Sequence, residues 1–153
     1  MSNPKPRPLR NRSKHGRGQS LVEFALVFPI FILLLSGMID FGFGFYSYMT
    51  VINGARVGAR VASINPIDTN GAIENAVTNE AVALSSAPTT TFQCLPSGSS
   101  TWQSCTAAGY TPTKGDFVRV TVTYTYGAVM PLPFLSRIPM TSTVQMAIEA
   151  AST

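Results

Sequence analysis

GQSLVEFALVFPIFILLLSGMI, residues 18–39, is the stretch that determines the architecture of this chain. Within it, nineteen residues (21–39) include only four that are not clearly apolar, which are Glu23, Pro29, Ser36 and Gly37. A helix of that length spans about 28 Å, close to the thickness of the hydrocarbon core of a bilayer. The stretch therefore predicts a single membrane-spanning helix over about 21–39.

The segment before this stretch, residues 1–18, is basic and poor in apolar side chains. It holds six of the eleven Lys and Arg residues of the chain, so we expect it to be a disordered leader. Under the positive-inside rule, its charge keeps the N-terminus in the cytoplasm and sends the remainder across the membrane. Beyond residue 18, the chain has five basic and seven acidic residues. That balance argues against a nucleic-acid-binding surface on the folded part.

The apolar helix is predicted to continue beyond the membrane. Residues 40–63 contain no proline and stay rich in apolar and small side chains, so we expect one helix over 19–63. Gly42 and Gly44 are weak points in it. A second helix is expected at about 71–85, where apolar residues recur at helical spacing. Its candidate N-caps are Asp68, Thr69 and Asn70.

The C-terminal part of the chain changes to a period of two. In residues 117–126, FVRVTVTYTY, apolar and aromatic side chains alternate with polar ones, which predicts a strand buried on one face. Residues 143–149 repeat the alternation, and a short strand is expected near Thr91. The predicted fold class is α+β, with the long N-terminal helix packed on a small antiparallel sheet. Residues 64–153 would form a small extracytoplasmic α+β domain.

The two cysteines, Cys94 and Cys105, lie in a loop region rich in turn-forming residues. Outside the cytoplasm they can pair, which would add about 3 kcal/mol of stability, and two free thiols are the alternative. The only histidine is His15 in the leader, and the acidic residues are scattered singly. The sequence thus offers no catalytic constellation, metal site or cofactor site. We expect a protein that is not an enzyme and has no small-molecule substrate.

The most specific motif is GQSLVE, residues 18–23, in which a glutamate occupies the fifth position after the glycine. This motif resembles type IV prepilins, in which a membrane aspartyl peptidase cuts after the glycine and leaves the helix attached to the mature protein. The resemblance implies cleavage between Gly18 and Gln19. It also implies that Glu23 meets the α-amino group of a neighbouring subunit and sets axial register. The alternatives are a secretory signal, an uncleaved signal anchor, or a Glu23 that only stabilises its own helix N-terminus.

A longer stretch, VEFALVFPIFILLLSGMIDFGFGFYSYMTVINGARVGARVAS at 22–63, resembles the TadE-like pseudopilins of the tight-adherence (Tad) pilus. The resemblance lies in the VEF start, a proline in the membrane helix and a downstream AR-x-GAR element. Pro29 removes a backbone donor and would break or kink the helix. In related filaments such a break lets the helix extend during assembly; a tolerated kink is the alternative.

Two faces of the helix beyond the membrane carry candidate contacts. Gly54, Gly58 and Ala62 share one face and would let another helix, or the sheet, approach closely. Arg56 and Arg60 point the other way. They would reach a carboxylate of a partner subunit or the lipid phosphates, unless they simply lie on a solvated face.

The resemblance implies a structural subunit, a minor pseudopilin that is single-pass in the inner or cytoplasmic membrane and is trimmed by the prepilin peptidase. It would help to start or cap a Tad-type pilus. Its partners would be other pilins and pseudopilins, the assembly platform, the peptidase and the lipid bilayer. The alternative is a membrane-anchored adhesin or ligand-binding module whose Trp102 loop contacts a surface.

Overall fold

The computed structural model describes residues 16–129 and 137–149, without the side chains of residues 16 and 17. The elements of this part, in chain order, are α1 (Gly16–Ile64), α2 (Ala72–Glu80), β1 (Thr89–Leu95), β2 (Phe117–Tyr126) and β3 (Ile138–Ala147). The three strands form one antiparallel sheet in the order β1-β2-β3. The predicted α+β class is therefore confirmed. The chain divides into two compact units after Met38.

The first unit is described from residue 16 onward and consists of helix. Large apolar side chains are exposed along it, including Leu21, Phe24 and Leu33. By length and composition, α1 could cross a membrane. In water, such an apolar surface would favour association or lipid contact.

The bounds of α1 differ slightly from the prediction. The helix begins at Gly16, inside the segment expected to be disordered, and ends at Ile64, one residue beyond the predicted end. A glycine costs a helix about 1 kcal/mol, which weakens its first turn without stopping it. The helix also continues through Pro29 without interruption. The predictions for residues 1–15 lie outside the described residues.

The second unit begins at Ile39 and has its core between the later turns of α1, α2 and the sheet. Its fully buried side chains include Val51, Ala55, Ala59 and Ala62 from α1, Ile73 and Val77 from α2, and Val118, Val120 and Val122 from β2. β2 is the central strand, and Val120 lies opposite both Phe92 and Val144. The alternation predicted for 117–126 is thus confirmed at the same bounds.

The second helix is held at its start by an aspartate four residues upstream. Asp68 Oδ1 accepts hydrogen bonds from the backbone N–H of Ala72 at 2.6 Å and of Ile73 at 3.2 Å. Of the three candidate caps, Asp68 is therefore the one that supplies an acceptor, although Gly71 occupies the N-cap position. The helix ends at Glu80, earlier than predicted, because Ala81 leaves helical geometry with φ −97° and ψ 13°.

β1 is longer than the short strand predicted near Thr91, and β3 both starts and ends earlier than the predicted 143–149, with its last residue at Ala147. β1 spans seven residues around the expected short strand at Thr91. β3 starts at Ile138, five positions before the predicted start, and contains Pro139. Proline lacks a backbone donor but is tolerated on an edge strand, and β3 pairs only with β2 among the described strands. Ile148 lies just past β3 and is buried.

Candidate functional site

The GQSLVE motif lies in the first turns of α1 with its side chains exposed. A Cβ built on Gly18 would meet no side chain within 4 Å, and the Glu23 side chain is exposed. A protease binds its substrate in extended form, so this junction would have to unwind. Gly16 and Gly18 lower the cost of unwinding, because glycine favours the helix least among residues other than proline. Cleavage after Gly18 stays a prediction.

The glycines of the small-residue face pack against their own chain. A Cβ on Gly58 would lie 2.7 Å from Val77 Cγ2 and 3.3 Å from Val120 Cγ1, and one on Gly54 would lie 3.4 Å from Val77 Cγ1. Ala62 is fully buried in the same core. Both of the elements considered for this face, another helix and the sheet, therefore approach it closely, at Val77 of α2 and Val120 of β2.

The two arginines of the AR-x-GAR element lie on the opposite face of α1. Arg56 and Arg60 have exposed side chains, while Ala55 and Ala59, beside them in sequence, are buried. Their guanidinium groups thus face away from the core of the second unit. Whether they meet a carboxylate or a phosphate stays a prediction.

Asp40 ties α1 to the end of β2, a link that sequence reasoning missed. Its Oδ1 accepts a hydrogen bond from Val129 N–H at 2.7 Å and from Tyr126 Oη at 3.4 Å, and Tyr126 Oη also lies 3.3 Å from the Asp40 carbonyl oxygen. Burial raises the pKa of Tyr126, and the negative charge of Asp40 raises it further. Gly44 makes room for this ring, since a Cβ there would lie 3.7 Å from Tyr126 Cε1.

The loop between β1 and β2 is closed by a disulfide. Cys94 and Cys105 are bonded, with Cα atoms 4.9 Å apart, so the predicted pairing is confirmed. Beside the bond, Cys94 and Gln103 exchange two backbone hydrogen bonds, of 2.8 Å and 2.9 Å. The loop is therefore fastened to the outer edge of β1.

A buried carboxylate, Asp116, organises the remainder of this loop. It accepts hydrogen bonds from the backbone N–H of Ser97 at 2.7 Å and of Thr113 at 3.0 Å, and from Tyr110 Oη at 2.8 Å. Burial alone would raise the pKa of Asp116, but these bonds outweigh burial and hold it below its usual value. The pKa of Tyr110 is raised, first by burial and then by its bond to Asp116.

Trp102, the residue on which the adhesin alternative depends, is half-buried against the sheet. The guanidinium carbon of Arg119 lies 4.3 Å from the centre of the indole ring, and Arg119 also donates a hydrogen bond to Gln93 Oε1. The ring therefore has a packing role within its own unit, as a cation–π partner of β2. Across the described ranges, no group of three or more His, Cys, Asp or Glu side chains is placed to hold a metal ion.

Comparison with protein families adds one match. The family model described as TadE-like protein matches residues 18–60, from the glycine of the GQSLVE motif to the second arginine of the AR-x-GAR element. No curated protein and no solved structure matches the chain. The matched stretch lies entirely on α1 and holds the exposed apolar surface, both glycines of the small-residue face and both arginines. Over this segment the chain is therefore similar to the TadE-like family.

Proposed function

We propose that this protein is a minor pseudopilin, anchored in the inner or cytoplasmic membrane and trimmed by the prepilin peptidase, that helps to start or cap a Tad-type pilus. The observation that carries the proposal is the TadE-like match, which begins at Gly18 and covers a helix exposed along its apolar half. A cleaved leader followed by an apolar helix is the arrangement that lets a subunit leave the bilayer for a filament.

Exposure of Glu23 supports this role. A carboxylate inside an apolar helix is costly in a membrane unless it reaches the interface or finds a partner. Glu23 lies four residues after Gln19, about one helical turn, and its side chain is exposed. Cleavage after Gly18 would create an α-amino group on Gln19. That cation, on a neighbouring subunit, is the partner we assign to Glu23.

The disulfide supports the proposed topology. Disulfides persist in oxidising compartments and are rare in the cytoplasm, so a bonded Cys94–Cys105 pair favours the extracytoplasmic side for the second unit. The basic leader favours the cytoplasmic side for the N-terminus. Together they support a single-pass protein. Its partners would be other pilins and pseudopilins, the assembly platform, the peptidase and the bilayer.

The decisive experiment is coexpression of the full chain with a prepilin peptidase, followed by N-terminal sequencing and intact-mass measurement. We expect a mature chain that begins at Gln19. Gly18→Val should block cleavage, because a β-branched side chain crowds the approach of the protease. Gly16→Val, two residues upstream, is the matched control and should still be cut. A mature terminus after residue 36 would instead identify a secretory signal and overturn the proposal.

A further inference from the structure

Four aromatic side chains project from α1 directly after its apolar segment, on the sides that the sheet leaves free. They are Phe41, Phe43, Phe45 and Tyr46, here called the aromatic collar, with exposed fractions of 76%, 54%, 53% and 53%. None of them belongs to the buried core of the second unit. Large aromatic surface left uncovered at this density marks an interaction site.

The angles of the collar residues around the helix axis indicate which kind of partner covers them. At about 100° per residue, Phe43 lies about 160° from Phe41 around the helix, and Tyr46 lies about 140° from Phe41. A packed partner helix covers a stripe only about 100° wide. One neighbouring helix therefore cannot cover the collar, whereas a lipid layer surrounds the helix on all sides that the sheet leaves free.

The position of the collar along the helix axis matches the depth of the lipid headgroup layer. The twenty residues 21–40 are about 30 Å long as a helix, which matches the hydrocarbon core. The collar covers the next five steps, about 7.5 Å, which matches the headgroup layer on one side of the bilayer. Tyrosine is enriched in that layer, and phenylalanine is a usual apolar contact of helices that lie in it.

The segment that follows β2 is held at the same position along α1 as the collar. Asp40, the residue directly before the collar, accepts the backbone N–H of Val129 at 2.7 Å, and the Val129 side chain is 66% exposed. We infer that the aromatic collar and Val129 together form a contact with the lipid headgroup layer, which seats the second unit directly on the bilayer surface. This inference rests on the membrane anchoring in the proposed function.

The test uses single tryptophans in the full chain, in a Trp102→Phe background. The protein is placed at low density in vesicles of phosphatidylethanolamine and phosphatidylglycerol, with a nitroxide quencher on the headgroup or at mid-acyl chain. Phe41→Trp and Phe45→Trp should be quenched at least twofold more by the headgroup probe than by the acyl probe. Leu33→Trp should show the reverse order. Asn53→Trp, exposed further along α1, should respond only to acrylamide in the water.

Each other outcome has a distinct meaning. If Leu33→Trp responds to the acyl probe while the collar responds only to acrylamide, the protein is inserted and the lipid contact is refuted. A collar shielded from acrylamide and from both lipid probes would also refute it, since another protein chain would then cover the rings. If Leu33→Trp does not respond to the acyl probe, membrane anchoring fails, and the proposed function fails with it.

Discussion

Asp116 is a carboxylate whose bonding partners are all donors. Its oxygens accept from two backbone amides and from the hydroxyls of Tyr110 and Thr113. An asparagine would turn an NH2 group toward some of these donors and leave buried groups unsatisfied. We expect Asp116→Asn to lower the free energy of unfolding by about 2–3 kcal/mol in urea titrations of the full chain in detergent.

The same carboxylate predicts a dependence on pH. The pKa of Asp116 is lower in the folded protein than its usual value, so its stabilisation is present above the unfolded pKa and is lost as pH falls through the folded pKa. Wild type should therefore lose stability in acid more steeply than Asp116→Asn. Glu80→Gln, a change at an exposed acid, is the control and should shift stability by less than about 0.5 kcal/mol. Equal acid sensitivity of wild type and Asp116→Asn would contradict this role.

Gly58 gives the second residue-scale prediction. Alanine there would place its Cβ 2.7 Å from Val77 Cγ2, so the core must shift, and we expect a loss of about 1–3 kcal/mol. Gly42→Ala is the matched control. It lies on the same helix with open space around it, and should be neutral or stabilising by up to about 1 kcal/mol. Thermal unfolding followed by circular dichroism compares the two, and equal midpoints would show that Gly58 is not tightly packed.

Only some of these residue contacts can be predicted from the sequence. The shared face of Gly54, Gly58 and Ala62 follows from helical spacing, but spacing cannot say whether a sheet or a second chain packs there. Asp116 looks like an isolated acid in the sequence because its Ser97 partner lies 19 positions away. Asp40 likewise meets groups at the far end of β2. Such partners become neighbours only when the chain folds, so the sequence around each residue carries no pattern that predicts them.

At the scale of elements, the disulfide closes a loop with a sequence separation of 11 between its cysteines. In the chain-entropy model a closure of that length is worth about 3 kcal/mol. We expect replacement of both Cys94 and Cys105 by serine to lower the free energy of unfolding by about 2–4 kcal/mol. Dithiothreitol should lower the melting temperature of wild type and leave that of the double variant unchanged. A reductant effect of equal size on both would mean that the bond does not stabilise the fold.

Elements with a strong period were predicted better than those without one. β2 was predicted with its observed bounds because buried and exposed residues alternate along all ten positions. β1 begins with three threonines, which show no alternation of polarity, so only a short strand was expected there. β3 was predicted too short because Pro139 argues against a strand unless the strand lies at an edge. Whether a strand lies at an edge depends on its neighbours in the sheet, and the sequence does not reveal them.

At the scale of the whole molecule, the role proposed for Glu23 predicts that pilus assembly can be lost while processing is kept. Glu23→Ala removes a carboxylate that is costly in an apolar environment, so we expect cleavage and membrane insertion to be kept or improved. Pilus assembly should nevertheless fall, because subunits would lose the contact that sets their register. Immunoblots of sheared pili against cell-bound protein measure this separation. Ser20→Ala, at another exposed position on α1, is the control. If Glu23→Ala assembles pili normally, Glu23 only stabilises the N-terminus of its own helix.

The hydrogen bond between Asp40 and Val129 joins residues 89 positions apart. Contacts of such separation form late in folding, because the intervening chain must first lose its conformational freedom. If α1 anchors the chain with its N-terminus in the cytoplasm, as proposed, α1 can form early from local bonds, while the sheet must wait for β2 to emerge. On the proposed topology, the second unit would therefore stay unfolded, and able to pass a narrow channel, during most of its export.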